Sequence, residues 1–188
     1  VIFDCDGVLV DRTNLRAVAG VRDVLDGLAS RTVATCVVSQ SQRTRVDLTM
    51  SATDLARYFD DRVYTASLVP RGKPLPDLFL YAATRMGAEP RRCAVIEGSA
   101  SGVRAAVAAG MRVFAYATDE DPAELTRAGA TTFRTMEELP GLLERDAGDG
   151  AGGRRGTQPE AVVRLREAYE AFGAGDGRLL AQLLADDV

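Results

Sequence analysis

Short apolar runs alternate with amphipathic segments along most of the chain. The apolar runs predict five buried strands, at 1–5, 32–39, 62–66, 93–97 and 111–116. The amphipathic segments predict helices, at 19–30, 42–58, 76–87, 100–109, 121–129 and 136–145. Continuous apolar strands separated by helices are typical of a parallel sheet that is covered on both faces. We therefore expect an α/β fold, Rossmann-like, with a parallel sheet in a three-layer α/β/α arrangement.

Polar side chains stand at the ends of three of these predicted strands. Asp4, Ser39 and Glu97 each fall at or next to the carboxyl end of an apolar run. In parallel α/β sheets, ligands bind beyond the carboxyl ends of the strands. The sequence therefore predicts a functional site at this edge of the sheet.

Composition excludes several classes of protein. The formal net charge of −4 gives no basic surface for nucleic acid and no polybasic surface for membranes. No apolar run approaches the roughly 20 residues of a membrane span, and no basic-then-apolar pattern leads us to expect export. The three cysteines lack a CxxC spacing and are expected to be reduced. We expect a cytoplasmic protein with neither a nucleic-acid nor a membrane partner.

The sequence contains no histidine. This excludes Ser–His–Asp and Cys–His catalysis and the usual histidine ligands of zinc. Acid–base chemistry must therefore come from carboxylates, lysine or tyrosine.

The segment VIFDCDGVLVD places two carboxylates two residues apart. Asp4 and Asp6 project to the same side of an extended chain, where they repel unless a cation or a proton lies between them. Oxygen ligands of this kind suit Mg²⁺. A plain turn around Asp6 and Gly7 is an alternative. A calcium-binding loop is a further alternative, but its twelfth-position glutamate would fall at Leu15, which cannot bind a cation.

Two further segments contain groups that suit a phosphoryl ligand. Ser39 ends the strand in TVATCVVSQS, and its hydroxyl and the nearby backbone N–H groups can hold a phosphoryl oxygen. Lys73 lies in RGKPLPDLFLYAA, where flanking prolines restrict the loop and can aim the ammonium group inward. Taken alone, each residue also fits a structural role, Ser39 in a turn or helix cap and Lys73 on the surface.

Four segments in order carry a family resemblance: VIFDCDGVLVD, VVSQS, GKPLPDLFLYAA and VIEGSASGVRAAVAAGM. They resemble the motifs of the haloacid dehalogenase-like (HAD) hydrolase superfamily, in the branch that contains phosphoglycolate phosphatases and β-phosphoglucomutases. The resemblance covers about residues 1–145, which we predict to be one HAD-like hydrolase core. It implies phosphatase rather than dehalogenase activity, because relatives that cleave carbon–halogen bonds lack the second aspartate.

The resemblance implies a role for each motif residue. Asp4 would be the nucleophile that forms an aspartyl-phosphate, and Asp6 would be the general acid and base. Ser39 and Gln40 would bind the phosphoryl group. Lys73 would offset the charge on the nucleophile and the phosphate.

The resemblance also implies a bound Mg²⁺. It would be held by Asp4, by the backbone carbonyl of Asp6 and by acidic residues of the fourth motif, in this chain Glu97. Relatives usually carry Glu-Asp at this point, whereas this chain has Glu97 followed by Gly98. Mg²⁺ requires near-ideal octahedral geometry at short distances, so a carboxylate from the neighbouring position is a poor substitute. We therefore expect weakened Mg²⁺ binding.

A second departure from the family pattern follows Asp11. Relatives usually insert a helical cap domain at this point, but RTNLRAVAGVRDVLDGL enters a predicted core helix almost at once. Caps exclude water and select small substrates. A capless core is expected to have an open site. Such a site would accept small or larger phosphorylated substrates, or be covered by another domain or by a second copy in a homo-oligomer.

The C-terminal part is predicted to be a separate unit. Residues 146–158 are rich in glycine and predict a flexible linker. Residues 159–188 predict two helices, the first with an apolar face formed by Val162, Leu165, Tyr169 and Phe172, the second by Leu179, Leu180, Leu183 and Leu184. This pattern resembles the start of a SnoaL-like domain of the nuclear-transport-factor-2 superfamily, which implies a chain that continues beyond Val188. The alternative is a pair of helices that pack on the core or mediate dimerisation.

Two functions are consistent with these features. The first is a Mg²⁺-dependent phosphatase-type hydrolase that acts through an aspartyl-phosphate, with activity weakened by Gly98. The second is a catalytically impaired HAD-like domain with a binding or regulatory role, coupled to the C-terminal unit.

Overall fold

The computed structural model describes residues 1–149, 160–173, 178, 181 and 182. Within them, six strands form one parallel sheet: Ile2–Asp4 (β1), Cys36–Ser39 (β2), Val63–Thr65 (β3), Ala94–Glu97 (β4), Arg112–Tyr116 (β5) and Thr131–Phe133 (β6). The strand order is β3-β2-β1-β4-β5-β6. The central strand β1 is therefore the point at which the chain order reverses, where open α/β sheets bind their ligands.

Helices cover both faces of this sheet. The described part of the chain contains seven α-helices: Val21–Ser30 (α1), Arg43–Ala52 (α2), Asp77–Arg85 (α3), Ala100–Ala108 (α4), Pro122–Arg127 (α5), Leu139–Asp149 (α6) and Glu160–Gly173 (α7). Buried side chains of α3, α4, α5 and α7 form one apolar cluster, and those of α1, α2 and α6 form a second. Successive residues of β1 join different clusters, Ile2 the first and Phe3 the second. The predicted α/β/α layering is confirmed.

Two local predictions differ from the structure. The sequence pattern does not predict β6, because this strand has only three residues and only Phe133 among them is buried. The helix predicted at 42–58 ends at Ala52 instead. After it, Asp54 has a left-handed φ of 55°, which an α-helix does not accommodate, and a short 3₁₀ turn follows at Ala56–Tyr58.

A single loop joins β1 to α1, at the point where the family resemblance implies a cap domain in relatives. This segment, residues 5–20, is called the flap loop below. It turns sharply at Gly7, whose φ of 88° lies in the region that favours glycine. Val10 then pairs with Ala17 in a single antiparallel bridge, and α1 begins at Val21. A cap domain is absent at this position, as predicted.

The C-terminal segment contributes to the core. The backbone of α6 is helical to Asp149, so it includes the first residues of the predicted linker, whereas 150–159 lie outside the described residues. In α7, Leu165 and Tyr169 are buried as predicted. The side chains of Val162 and Phe172 are not among those that the structure describes. The apolar positions of the second predicted helix, Leu179, Leu180, Leu183 and Leu184, also lie outside the described residues. None of the helices described is long and apolar enough to cross a membrane.

Candidate active site

The carboxyl ends of β1 and β4 hold two buried carboxylates that share one ammonium group. Lys73 reaches this edge from the loop before α3, and its Nζ lies 2.6 Å from Oδ1 of Asp4 and 2.5 Å from Oε1 of Glu97. The side chain of Lys73 is 3% exposed and that of Glu97 is fully buried. The ammonium also lies 5.2 Å from the centre of the Phe79 ring. Asp4, Lys73 and Glu97, from three distant segments of the chain, therefore form one buried cluster.

The charges of this cluster determine its protonation. Burial on its own would lower the pKa of Lys73, but the charges of Asp4 and Glu97 raise that pKa above its usual value, so the ammonium form is kept. Burial, with the charge of Glu97 acting in the same direction, raises the pKa of Asp4 to about 7, against the opposing effect of Lys73. One ammonium thus stabilises two carboxylates incompletely.

Both oxygens of Glu97 are already engaged within the protein. While Oε1 accepts from Lys73, Oε2 accepts from the backbone N–H of Gly98 at 2.8 Å and from that of Ser99 at 2.9 Å. The hydroxyl of Ser99 also donates to Oε2, at 3.0 Å, and accepts from the N–H of Gly102. The carboxylate therefore lies at the N-terminus of α4, where free N–H groups and the helix dipole stabilise negative charge.

The space for this carboxylate exists because residue 102 is glycine. A Cβ at Gly102 would overlap Oε1 and the carboxyl carbon of Glu97, far inside van der Waals contact. No side chain fits in that space. Gly102 is not among the site residues predicted from the sequence, although it lies in the run of small residues that follows Glu97.

Asp6 faces a different set of partners from Asp4. Its Oδ2 accepts from the hydroxyl of Ser41 at 2.9 Å, and its Oδ1 lies 3.8 Å from a guanidinium nitrogen of Arg45. The charge of Asp6 is close enough to add to the raised pKa of Asp4. The Asp6 backbone carbonyl accepts from Nε of Arg12, at 3.0 Å. The sequence predicts neither Ser41 nor Arg12, because a serine before a helix and an arginine in a loop are common surface features.

Ser39 is the last residue of β2, and Gln40 follows it and contacts the Lys73 loop. The buried hydroxyl of Ser39 accepts from the backbone N–H of Ser41 at 3.1 Å. The amide of Gln40 bonds the main chain of Lys73 in both directions, donating to its carbonyl at 3.2 Å and accepting from its N–H at 3.3 Å. Gln40 therefore holds the loop that carries Lys73.

The residues present do not fit a high-affinity Mg²⁺ site. Position 98 offers no side chain, and a Cβ there would point at the flap loop, 3.2 Å from Cγ2 of Val8 and 3.4 Å from the carbonyl oxygen of Gly7. Glu97 is saturated with hydrogen bonds, and the Asp6 carbonyl already accepts from a guanidinium group. Among the residues that the structure describes, no three Cys, Asp or Glu side chains converge as a metal-binding group.

A cavity with a mixed polar and apolar lining adjoins the flap loop. Its volume is about 330 Å³, and it lies between the flap loop and the end of β5. Its lining includes Gly7, Asp11, Asn14, Arg16, Tyr116 and Thr118. Ala17, Val18 and Ala19 line it as well, whereas Asp4, Lys73 and Glu97 do not.

Comparisons with known proteins identify the family. The model of the haloacid dehalogenase-like hydrolase family matches residues 7–110. The chain is 28% identical over 130 residues to the 6-phosphogluconate phosphatase of Escherichia coli, covering 69% of this chain and 58% of that protein. It is 30% identical over 127 residues to the phosphorylated carbohydrates phosphatase of Thermotoga maritima, covering 66% and 58%. The chain belongs to the haloacid dehalogenase-like hydrolase family.

Solved structures agree with this assignment. A HAD family hydrolase of Deinococcus radiodurans R1, crystallised with bound phosphate and sodium, superimposes with a TM-score of 0.66 at 32% identity. The match covers 70% of this chain and 61% of that one. The chain thus spans under two thirds of the length of these relatives. The predicted resemblance to the phosphatase and β-phosphoglucomutase branch is confirmed, since a putative β-phosphoglucomutase of Thermotoga maritima also superimposes, with a TM-score of 0.63 at 28% identity over 69% of this chain and 61% of that one.

Proposed function

We propose that the chain is the core of a phosphatase-type hydrolase that cleaves phosphate monoesters through an aspartyl-phosphate on Asp4. The observation that carries this proposal is the buried cluster of Asp4, Lys73 and Glu97 at the topological reversal of the sheet. A buried carboxylate that is held by a fixed cation is oriented for attack, because it needs little further desolvation and has few alternative rotamers. Membership of a hydrolase family whose relatives include named phosphatases supports the same reaction.

In the proposed reaction, a carboxylate oxygen of Asp4 attacks phosphorus, and the bond from phosphorus to the ester oxygen breaks. Asp6 donates a proton to the departing oxygen, so the products of this step are an alcohol and the aspartyl-phosphate. Water then attacks the same phosphorus while Asp6 accepts its proton. Inorganic phosphate leaves, and Asp4 returns as a carboxylate.

The remaining motif residues would orient the phosphoryl group and balance charge. Lys73 would offset part of the negative charge in the transition state, and Ser39 with the adjoining backbone would contact a phosphoryl oxygen. Gln40 would act through the Lys73 main chain that it already bonds. Because Lys73 is shared by two carboxylates, a dianionic phosphate at this site lacks sufficient positive charge. A divalent cation would supply that charge when bound.

We extend the proposal to a weak requirement for Mg²⁺. The oxygen donors available are the carboxylate of Asp4 and the second lone pair of the Asp6 carbonyl, whose first accepts from Arg12, and the described residues give no third ligand. Weak binding, rather than none, follows from two oxygen donors beside a phosphate that can itself bind the cation.

The substrate is proposed to be a phosphorylated carbohydrate or a similar polar monoester. The cavity between the flap loop and the end of β5 has polar side chains in its lining, among them Asp11, Asn14 and Thr118, which can hydrogen-bond the hydroxyls of such an ester. Two relatives are named for sugar-phosphate substrates. Because no cap covers the site, we also propose that it admits larger phosphorylated substrates. Another domain or a second copy of the chain would otherwise cover it.

The aspartyl-phosphate is tested by trapping it. The protein is mixed with p-nitrophenyl phosphate and Mg²⁺, quenched in acid within one turnover, and analysed by intact mass and peptide mapping. We expect one added phosphoryl group on the peptide containing Asp4, released by hydroxylamine as an acyl phosphate should be. Turnover with no phosphoryl group on that peptide would contradict the covalent mechanism.

A second function is favoured by one specific observation. Both oxygens of Glu97 accept hydrogen bonds within the protein, and residue 98 has no side chain. As the alternative, we therefore propose a catalytically impaired domain with a binding or regulatory role. Absence of both p-nitrophenol release and phosphoenzyme in a folded sample with millimolar Mg²⁺ would favour this alternative.

Gly98→Asp is expected to increase Mg²⁺ affinity. The backbone at 98 is compatible with an L residue, and the new Cβ requires only that Val8 shift by a few tenths of an ångström. A carboxylate aimed at the flap loop adds a metal ligand beside the Asp6 carbonyl. The Mg²⁺ concentration for half-maximal turnover should fall by about tenfold or more.

Two variants at the same position separate charge from volume. Gly98→Asn has nearly the same shape as Gly98→Asp but no charge, and Gly98→Ala carries the steric cost alone. Both should leave the half-maximal Mg²⁺ concentration close to that of the starting protein. If folded Gly98→Asp leaves it unchanged as well, the missing side chain at position 98 is not the cause of weak Mg²⁺ binding.

A further inference from the structure

The two ends of the loop that carries Lys73 are joined by an ion pair with a buried carboxylate. Arg71 lies two residues before Lys73, and Asp77 begins α3 four residues after it. Nε of Arg71 donates to Oδ1 of Asp77 at 3.0 Å, and Nη2 donates to Oδ2 at 3.3 Å. Asp77 is fully buried, and this paired arrangement fixes the guanidinium and carboxylate planes relative to each other. The two ends of the loop are therefore tied together.

The third member of this network comes from the C-terminal helix. The hydroxyl of Tyr169, in α7, lies 3.3 Å from Oδ1 of Asp77 and donates to it across 92 residues of sequence. Tyr169 is 1% exposed. Burial, together with the charge of Asp77, raises the pKa of Tyr169, so the phenol stays protonated and remains a donor.

Apolar contacts hold α7 in this position. The ring of Tyr169 meets that of Tyr81 edge to face with 6.1 Å between centres, and Tyr81 meets Tyr64 of β3 in the same way at 5.7 Å. Leu165 and Ala168 are buried in the same cluster as the inner side of α3. α7 is thus packed on the helix that begins where the Lys73 loop ends.

We propose that Tyr169 is a positioning residue for Lys73, so that docking of α7 on α3 sets the geometry of the active site. The hydrogen bond from Tyr169 orients Asp77, Asp77 orients Arg71, and the pair fixes the loop from which Lys73 reaches Asp4 and Glu97. Gln40 holds the same loop through two hydrogen bonds to the Lys73 main chain. The inference rests on the proposed function only for the effect on turnover, because the coupling between α7 and the Lys73 loop is independent of the reaction.

The sequence offers a direct reporter of this coupling. Lys73 is the single lysine of the 188 residues, so acylation of a lysine side chain by an N-hydroxysuccinimide ester reports on this residue alone. Peptide mapping separates it from any terminal amine. In the folded protein Lys73 is buried and paired with two carboxylates, so it should react slowly, at a rate set by opening of the loop.

Tyr169→Phe removes one hydroxyl and keeps the ring. We expect acylation of Lys73 to become about tenfold faster, because the hydrogen bond lost is one made to a charged group. If the protein turns over p-nitrophenyl phosphate, kcat should fall by about threefold or more while KM changes less, since Lys73 acts mainly on transition-state charge.

Tyr58→Phe is the matched control. The hydroxyl of Tyr58 also donates to an aspartate, Asp26, at 2.9 Å, but on the other face of the sheet and away from Lys73. It should leave Lys73 acylation and kcat unchanged even where it lowers thermal stability slightly. Arg71→Gln loosens the same network at the Arg71–Asp77 pair, and should speed acylation as Tyr169→Phe does.

The outcomes separate this inference from the proposed function. Faster acylation in Tyr169→Phe and Arg71→Gln, but not in Tyr58→Phe, supports the positioning role whether or not the starting protein has phosphatase activity. Lack of turnover in the starting protein counts against the proposed function alone. Acylation rates in Tyr169→Phe and Arg71→Gln equal to that of Tyr58→Phe would overturn the inference.

Discussion

Asp4→Asn is expected to reduce turnover of p-nitrophenyl phosphate by about 10³-fold or more, because an amide cannot serve as the attacking carboxylate. The substitution keeps the shape of the side chain. Lys73 keeps Glu97 as a partner, so the variant should remain folded. The measurement is release of p-nitrophenol at saturating substrate, alongside a thermal denaturation curve for each variant.

The control for this variant is another aspartate. Asp47 lies on α2, exposed, and pairs with Arg43 one helical turn away. Asp47→Asn should change turnover by less than about twofold, because exposed ion pairs contribute little to stability and this one is outside the site. If Asp4→Asn retains more than a tenth of the starting activity while Asp47→Asn is unaffected, Asp4 is not the nucleophile.

Gly102→Ala is expected to be the most destabilising small substitution in the site. The added methyl group would overlap the carboxylate of Glu97, whose Oε1 occupies the space next to the Gly102 backbone. Either α4 shifts away from β4 or Glu97 moves and leaves Lys73 with one partner. Overpacking at a buried position with so little room should lower the free energy of unfolding by about 3 kcal/mol. Denaturation in urea measures it.

Gly27 provides the comparison. It lies within α1, and a Cβ there would meet no atom within 4 Å. Gly27→Ala should therefore raise the free energy of unfolding by about 0.5–1 kcal/mol, since alanine is the better helix former. Equal effects of the two substitutions would show that the contact between Gly102 and Glu97 does not constrain the fold.

The location of the site is predictable from the sequence, because it follows from a backbone rule. Asp4, Ser39 and Glu97 each end a strand, and the carboxyl ends of parallel strands share one edge of the sheet. Lys73 is predicted by its proline-flanked loop and by the family resemblance. The strand β6 escapes prediction, since an exposed edge strand with two threonines lacks the continuous apolar run that marks the inner strands.

The hydrogen-bond partners of each carboxylate oxygen in the site are not predictable in the same way. Sequence spacing indicates that Glu97 reaches the site, but only the packed structure shows that Lys73, Ser99 and the N-terminus of α4 use both of its oxygens. The contact of Tyr169 with Asp77 is a harder case. A tyrosine on the apolar face of a helix is expected to be buried. The residues next to it in sequence do not indicate that its hydroxyl bonds an aspartate 92 residues earlier.

That separation in sequence affects the order in which the protein matures. Every strand of the described sheet precedes residue 134, so the sheet and α3 can assemble before α7 has been synthesised, as chains fold from their N-terminal end during translation. Asp77 and Arg71 then lack Tyr169 until α7 docks. If the positioning role holds, a nascent chain has its fold before it has a fully ordered Lys73 loop, and arrival of α7 is the step that completes the catalytic centre.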